Sequence, residues 1–136
     1  MEQRMHFQTL LEETIGNTAG HTAIEYFVGK EKKKVSGDAY LTHIQAMANY
    51  LNQRMQPLEP GAWVALKAPN SVYWFGVMFA LMKCGYRVML LDAQNPHQLD
   101  EHFVTEAGVK AFITNRPTGI PDVLDVDIAQ VEGVDD

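Results

Sequence analysis

Between Pro60 and Pro96 the sequence runs PGAWVALKAPNSVYWFGVMFALMKCGYRVMLLDAQNP, and those 37 residues admit few readings. Ala62 to Lys67 has the apolar, β-branched content of a strand. Val72 to Met82 is apolar on every side, which predicts a buried helix rather than a surface one. Gly85 stops it. Tyr86 to Leu91 is again a mostly apolar strand, as expected where a sheet is covered on both faces. Strand, helix and strand in this order make a βαβ unit with a right-handed crossover and a parallel strand pair. The unit ends in a polar turn at the carboxyl end of a strand, the edge at which open α/β sheets bind ligands.

The flanking sequence continues the alternation. Phe7 to Ile15, with Leu10, Leu11 and Ile15 as its apolar stripe, predicts a short amphipathic helix ended by Gly16-Asn17. His21 to Val28 predicts a strand, Gly29 to Lys34 a polar turn, and Val35 the end of a short returning strand. Ser36 is a good N-cap. After it Leu41, Ile44, Ala48, Leu51 and Met55 recur at helical spacing, and Pro57 and Pro60-Gly61 close that helix. Asn70 or Ser71 caps the helix of the βαβ unit. Asn95 caps another, with Pro96 at its first position and Gln98 where a capping-box partner belongs. In it Leu99, Phe103 and Ala107 face inward, and Gly108 ends it before a third strand, Lys110 to Thr114. Residues 115–136 carry weaker signals: a short strand over Val123 to Ile128 and a frayed end from Val131. The expected class is α/β: three layers, a mostly parallel sheet with helices on both faces, plus a short N-terminal helix and a β-hairpin, all in one domain over 1–136.

Composition excludes several roles. An apolar fraction of 46% and a charged fraction of 21% are those of a soluble globular domain. Net charge is −6, and the only basic cluster, Lys30 to Lys34, is interrupted by Glu31. It reads as a solvated hairpin tip, so no nucleic-acid face is expected. The single cysteine, Cys84, excludes an internal disulfide and reads as a small buried hydrophobe at a helix end. Val72 to Leu91 approaches a membrane span in length, but Lys83, Cys84-Gly85 and Arg87 interrupt it, so no membrane span is expected. The first residues have no apolar core of signal-peptide length, and the expected compartment is the cytoplasm.

Two loops, Ala68 to Ser71 and Asp92 to His97, follow parallel strands and lead into helix N-termini, where free N–H groups favour anions. Asn70 and Asp92 are the candidate substrate-facing residues. The alternative is that Asn70, Ser71 and Asn95 merely cap helices and Asp92 satisfies local N–H groups. His97 and His102 diverge on a helix, and no histidine has a partner at metal-ligand spacing, so no metal site is assigned. The adjacent acids Glu12-Glu13 and Asp100-Glu101 do not face one another, and no catalytic residue is assigned. Thr118 to Pro121 faintly echoes the end of a phosphate loop. It lacks a preceding Ser/Gly/Thr tract and has Asp122 where a lysine is wanted, which leaves a plain turn.

Over residues 20 to 115 the sequence resembles the N-terminal part of the AMP-forming acyl-CoA synthetases, the adenylate-forming ligases. The resemblance lies in the order of six pieces: His21 to Tyr26; Asp38-Ala39-Tyr40-Leu41 with its helix; Pro60 to Leu66; Pro69-Asn70-Ser71; Leu81 to Tyr86; and Leu91-Asp92 with Asn95-Pro96. It implies a parent enzyme that uses ATP and Mg²⁺ to turn a carboxylic acid into an acyl-adenylate, then passes the acyl group to a thiol, usually coenzyme A. The family's ATP loop, nucleoside-binding segments and catalytic lysine lie beyond these residues. The resemblance therefore implies a scaffold fragment, inactive alone, whose partner is the remainder of the ligase chain. In some coenzyme A ligases an arginine after the Asn-Pro approaches the coenzyme A phosphates. That place is His97 here, so His97 and Gln98 are the candidate coenzyme A contacts. Two further readings are a standalone α/β small-molecule module and a partner docking on a separate ligase subunit. The apolar helix Val72 to Met82, with one side uncovered, predicts at least a weak homodimer.

Overall fold

A computed structural model describes residues 22–28, 30–95 and 100–135. The expected helix over Phe7 to Ile15, and Pro96, His97, Gln98 and Leu99, lie outside them. The described elements run β1 (Thr22–Val28), β2 (Glu31–Ser36), α1 (Gly37–Arg54), β3 (Trp63–Lys67), α2 (Trp74–Lys83), β4 (Arg87–Leu90), α3 (Glu101–Ala107), β5 (Val109–Thr114), β6 (Leu124–Asp127) and α4 (Ile128–Glu132). β1 and β2 form an antiparallel hairpin; the others make a four-stranded sheet in the order β4-β3-β5-β6, with every pair parallel.

Side-chain alternation along β3 and β5 divides the core. Val64 and Leu66, with Ala111 and Ile113, join the larger cluster beneath α1, α2 and α4. Ala65 and Phe112 point the other way, into a smaller cluster closed by Val104 of α3. The molecule is therefore the expected three-layer α/β arrangement. β3 is paired on both sides and packed on both faces, and Val64, Ala65 and Leu66 are wholly buried.

Several elements differ from expectation. The returning strand of the hairpin starts at Glu31, inside the stretch read as turn: Glu31 pairs with Val28 and the three lysines that follow pair with Phe27, Tyr26 and Glu25, so the hairpin's own pairing overrides the low strand propensity of lysine. Ser36 caps α1 as expected, accepting from the Ala39 amide at 3.1 Å. α2 begins later than Asn70 or Ser71, with Tyr73 at its N-cap and no side-chain cap bond. The Ser71 hydroxyl donates instead to Glu132 at 2.7 Å. Only Gly76, Val77, Ala80 and Leu81 of α2 are buried, and Phe75 is 56% exposed, so the helix is not covered all round. α3 is capped by Asp100, whose carboxylate accepts from the His102 amide at 2.8 Å; Asn95 does not cap it. Val104 is its buried residue and Ala107 packs against the same cluster as expected, whereas Phe103 is exposed. The C-terminal stretch is ordered through α4, with Val131 wholly buried where fraying was expected. There the Glu132 carbonyl accepts from His43 Nε2 at 2.8 Å.

α1 and α2 approach closely at Gly76. A Cβ there would lie 2.9 Å from Met47 Cε and 3.2 Å from the Tyr40 hydroxyl. Gly76→Leu therefore overpacks this crossing and should cost about 1–3 kcal/mol. Urea unfolding measures it; an unchanged midpoint would show that the crossing is not tightly packed.

Candidate ligand cleft at the carboxyl edge

The strand order places a reversal of direction beside β3. From β3 the chain moves to β4 on one side; it then returns past β3 to β5 and continues outward to β6. The loops after β3 and β5 diverge, and the gap between them is where such sheets bind ligands. A cleft of about 290 Å³ lies there, lined by Lys67 at the end of β3 and Pro69 beyond it, Ala93 and Gln94 after β4, and Thr114 at the end of β5 with Asn115 and Arg116 beyond it.

Lys67 organises this cleft. It closes an apolar strand and is 4% exposed. Its Nζ donates to the backbone carbonyls of Asp92 and, at 2.8 Å, Asn95. A buried ammonium needs such partners, and each charge-assisted bond contributes about 1.5–3 kcal/mol. The loop after β4 is thus held to the end of β3. Asp92 turns its carboxylate onto the Gln94 amide at 2.9 Å, and the Asn95 amide donates to the Asp92 carbonyl at 3.1 Å. Across the cleft Thr114 Oγ1 donates to the Arg116 carbonyl at 3.1 Å and accepts from the Arg116 amide at 3.2 Å, fixing that turn.

Among the described residues the lining holds two cations and no acid. Among the described residues no ion pair engages Lys67 or Arg116. In a chain of net charge −6 this is a local positive site, suited to a phosphate or carboxylate. Of the expected residues, Asp92 lies in the loop that Lys67 holds, exposed and engaged with a local N–H. Asn70 is exposed just past Pro69 and outside the lining. Lys67 and Arg116 escaped the sequence reading. A lone cation ending an apolar strand was the available signal for Lys67; Arg116 sits in a stretch with no motif. Thr118 is held by Asp125, whose carboxylate accepts from its amide at 3.0 Å and its hydroxyl at 2.9 Å, so the faint phosphate-loop echo is a fixed turn. Among the described residues no three His, Cys, Asp or Glu side chains are placed to share a metal ion, and no helix is long and apolar enough to cross a membrane.

The family model of the AMP-binding enzymes matches residues 11–135. The chain belongs to the AMP-binding enzyme family. Among curated proteins none matches. Solved structures do: the N-terminal subdomain of NpsA from Klebsiella oxytoca, in complex with 3-hydroxyanthranilyl-AMSN, is 18% identical with a TM-score of 0.70, over 90% of this chain and 29% of that one. An artificial NpsA-ThdA adenylation-PCP fusion from the same organism gives 18% and 0.68 over 90% and 23%. IdnL1 gives 16% and 0.73 over 90% and 26%. The chain thus shares the fold of an adenylation N-terminal subdomain and spans under a third of those chains.

Lys67→Met should release the 92–95 loop, with amide exchange at Asn95 rising by about tenfold or more while the sheet amides stay protected. Unchanged exchange would show that the lysine does not hold the loop. Cys84 offers the family chain no nucleophile: its thiol donates to the Ala48 carbonyl at 3.2 Å, and burial pushes it up from about 9 to about 11. At pH 8 its thiolate fraction falls roughly 100-fold below that of an unperturbed thiol. Iodoacetamide should alkylate the native protein correspondingly slowly, with the rate rising as pH approaches 11. Equal rates in native and urea-unfolded protein would contradict this.

Proposed function

We propose that residues 1–136 are the N-terminal subdomain of a longer cytoplasmic acid–thiol ligase, a scaffold inactive alone, and that the acceptor thiol is coenzyme A. The cleft at Lys67 and Arg116 carries the reading. It presents positive charge at the carboxyl edge with no competing acid among the described lining residues, the complement of a phosphorylated acceptor. In this reading Arg116 faces the coenzyme A phosphates and Lys67 positions the loop; the expected contacts of His97 and Gln98 lie outside the described residues. Asn70 and Asp92 line the approach of the acyl substrate.

ATP and Mg²⁺ belong to the activation step of this family. Among the described residues that line the cleft no carboxylate is placed to hold Mg²⁺, so these residues do not fit that pair. Their binding groups are assigned to the remainder of the chain. This subdomain supplies a rigid edge and a charge that favours the acceptor.

The full-length chain read from its gene tests this. It should catalyse acid-dependent exchange of pyrophosphate into ATP. Arg116→Ala should raise its KM for coenzyme A about tenfold, equivalent to about 1.4 kcal/mol, and leave the exchange unchanged. An unaltered KM for coenzyme A would move the acceptor away from this cleft, and absence of exchange would overturn the ligase reading itself.

A further inference from the structure

Asn115, Arg116 and Pro117 are exposed residues strung between two fixed points. In front of them stands the buried Thr114, whose hydroxyl bonds both the amide and the carbonyl of Arg116. Behind them stands Thr118, gripped by Asp125 of β6, which lies opposite Phe112 of β5 in the parallel register. The Asp125 carboxylate accepts from the Thr118 hydroxyl at 2.9 Å, the Thr118 amide at 3.0 Å and the Gly119 amide at 3.3 Å. The same hydroxyl accepts from the Ile120 amide at 3.2 Å.

A carboxylate that receives three donors has its acceptor capacity turned onto the loop. Among the described residues Asp125 makes no ion pair with Arg116. The acid therefore fixes the segment without neutralising the cation two residues before Thr118. Pro117, between the anchors, adds a fixed φ and has no N–H to satisfy. Arg116 is thus carried on backbone held at both ends. An arginine on an unanchored loop would have to order backbone and side chain together when a ligand arrives; anchoring the backbone beforehand removes part of that cost. Neither Thr118 nor Asp125 lines the cleft, so any influence they have on a ligand must pass through the residues that do.

We propose that Asp125, acting through Thr118, is a positioning residue of the anion site: it fixes the backbone of Asn115 to Pro117 so that Arg116 meets the phosphate of the acceptor. The inference rests on the coenzyme A reading above. It also gives the stretch Thr118 to Pro121 a role, as the anchor of the anion-binding turn rather than as a phosphate loop itself.

Steady-state kinetics of the full-length chain read from its gene test this. Thr118→Val removes the hydroxyl at nearly constant volume and should raise KM for coenzyme A roughly 3–10-fold, the range of one lost hydrogen bond, with kcat at saturating coenzyme A retained. Asp125→Asn, which replaces an acceptor oxygen by a donor, should do the same. Thr118→Ser, which keeps the hydroxyl, should keep the wild-type KM. In the Arg116→Ala background Thr118→Val should add nothing, because its effect passes through that side chain. A KM unmoved by Thr118→Val and Asp125→Asn, an equal rise in Thr118→Ser, or a full further rise in the Arg116→Ala background would each overturn the proposal. If Arg116→Ala raises KM while the Thr118 and Asp125 variants do not, the positioning role alone falls. If Arg116→Ala leaves KM unchanged, the coenzyme A reading falls and this role falls with it.

Discussion

Strand β3 is hydrogen-bonded on both sides and packed on both faces, and the remaining architecture is arranged around that double burial. A strand so placed can carry no charge along its length, because neither sheet face offers water to a buried cation. A charge is tolerated only where the strand ends, and there it must be met by backbone. Lys67 satisfies this condition. Its ammonium takes the Asp92 and Asn95 carbonyls, and in doing so links the end of β3 to the loop after β4. One residue thus terminates the core and shapes the edge of the cleft.

The sequence made the scaffold readable and the cleft less so, for a physical reason. Helix α1 repeats its apolar residues every three or four positions, and β3, β4 and β5 are short apolar runs bounded by glycine and proline. Such periodic signals are local and survive without tertiary knowledge. The starts of α2 and α3 were misplaced because several residues near each could act as caps, and tertiary contacts decided among them: Ser71 is drawn to Glu132, and Asp100 takes the cap expected of Asn95. The cleft depends on residues from three separate loops. Arg116 has no local signature, and only the strand order brings it opposite Lys67.

Charge and packing separate cleanly in this chain. The acidic excess lies over the surface, while the cleft at the carboxyl edge keeps Lys67 and Arg116 without an acid among its described lining residues. Thr114 and Asp125 hold the turns that follow β5, so the positive edge is presented by fixed backbone rather than by mobile side chains alone. Preorganisation of this kind lowers the ordering cost of binding an anion.

Two apolar clusters hold the described elements together: Phe112 and Val104 belong to one, Leu51, Leu66 and Val131 to the other. Burial on that scale can hold a chain of this length in one arrangement. Among the described residues the hydrogen-bonding of the sheet ends at β4, and Phe75 and Leu90 nearby are exposed. The packing around β3 therefore holds these elements together, and it fixes the parallel register that places Lys67 beside the loop after β4.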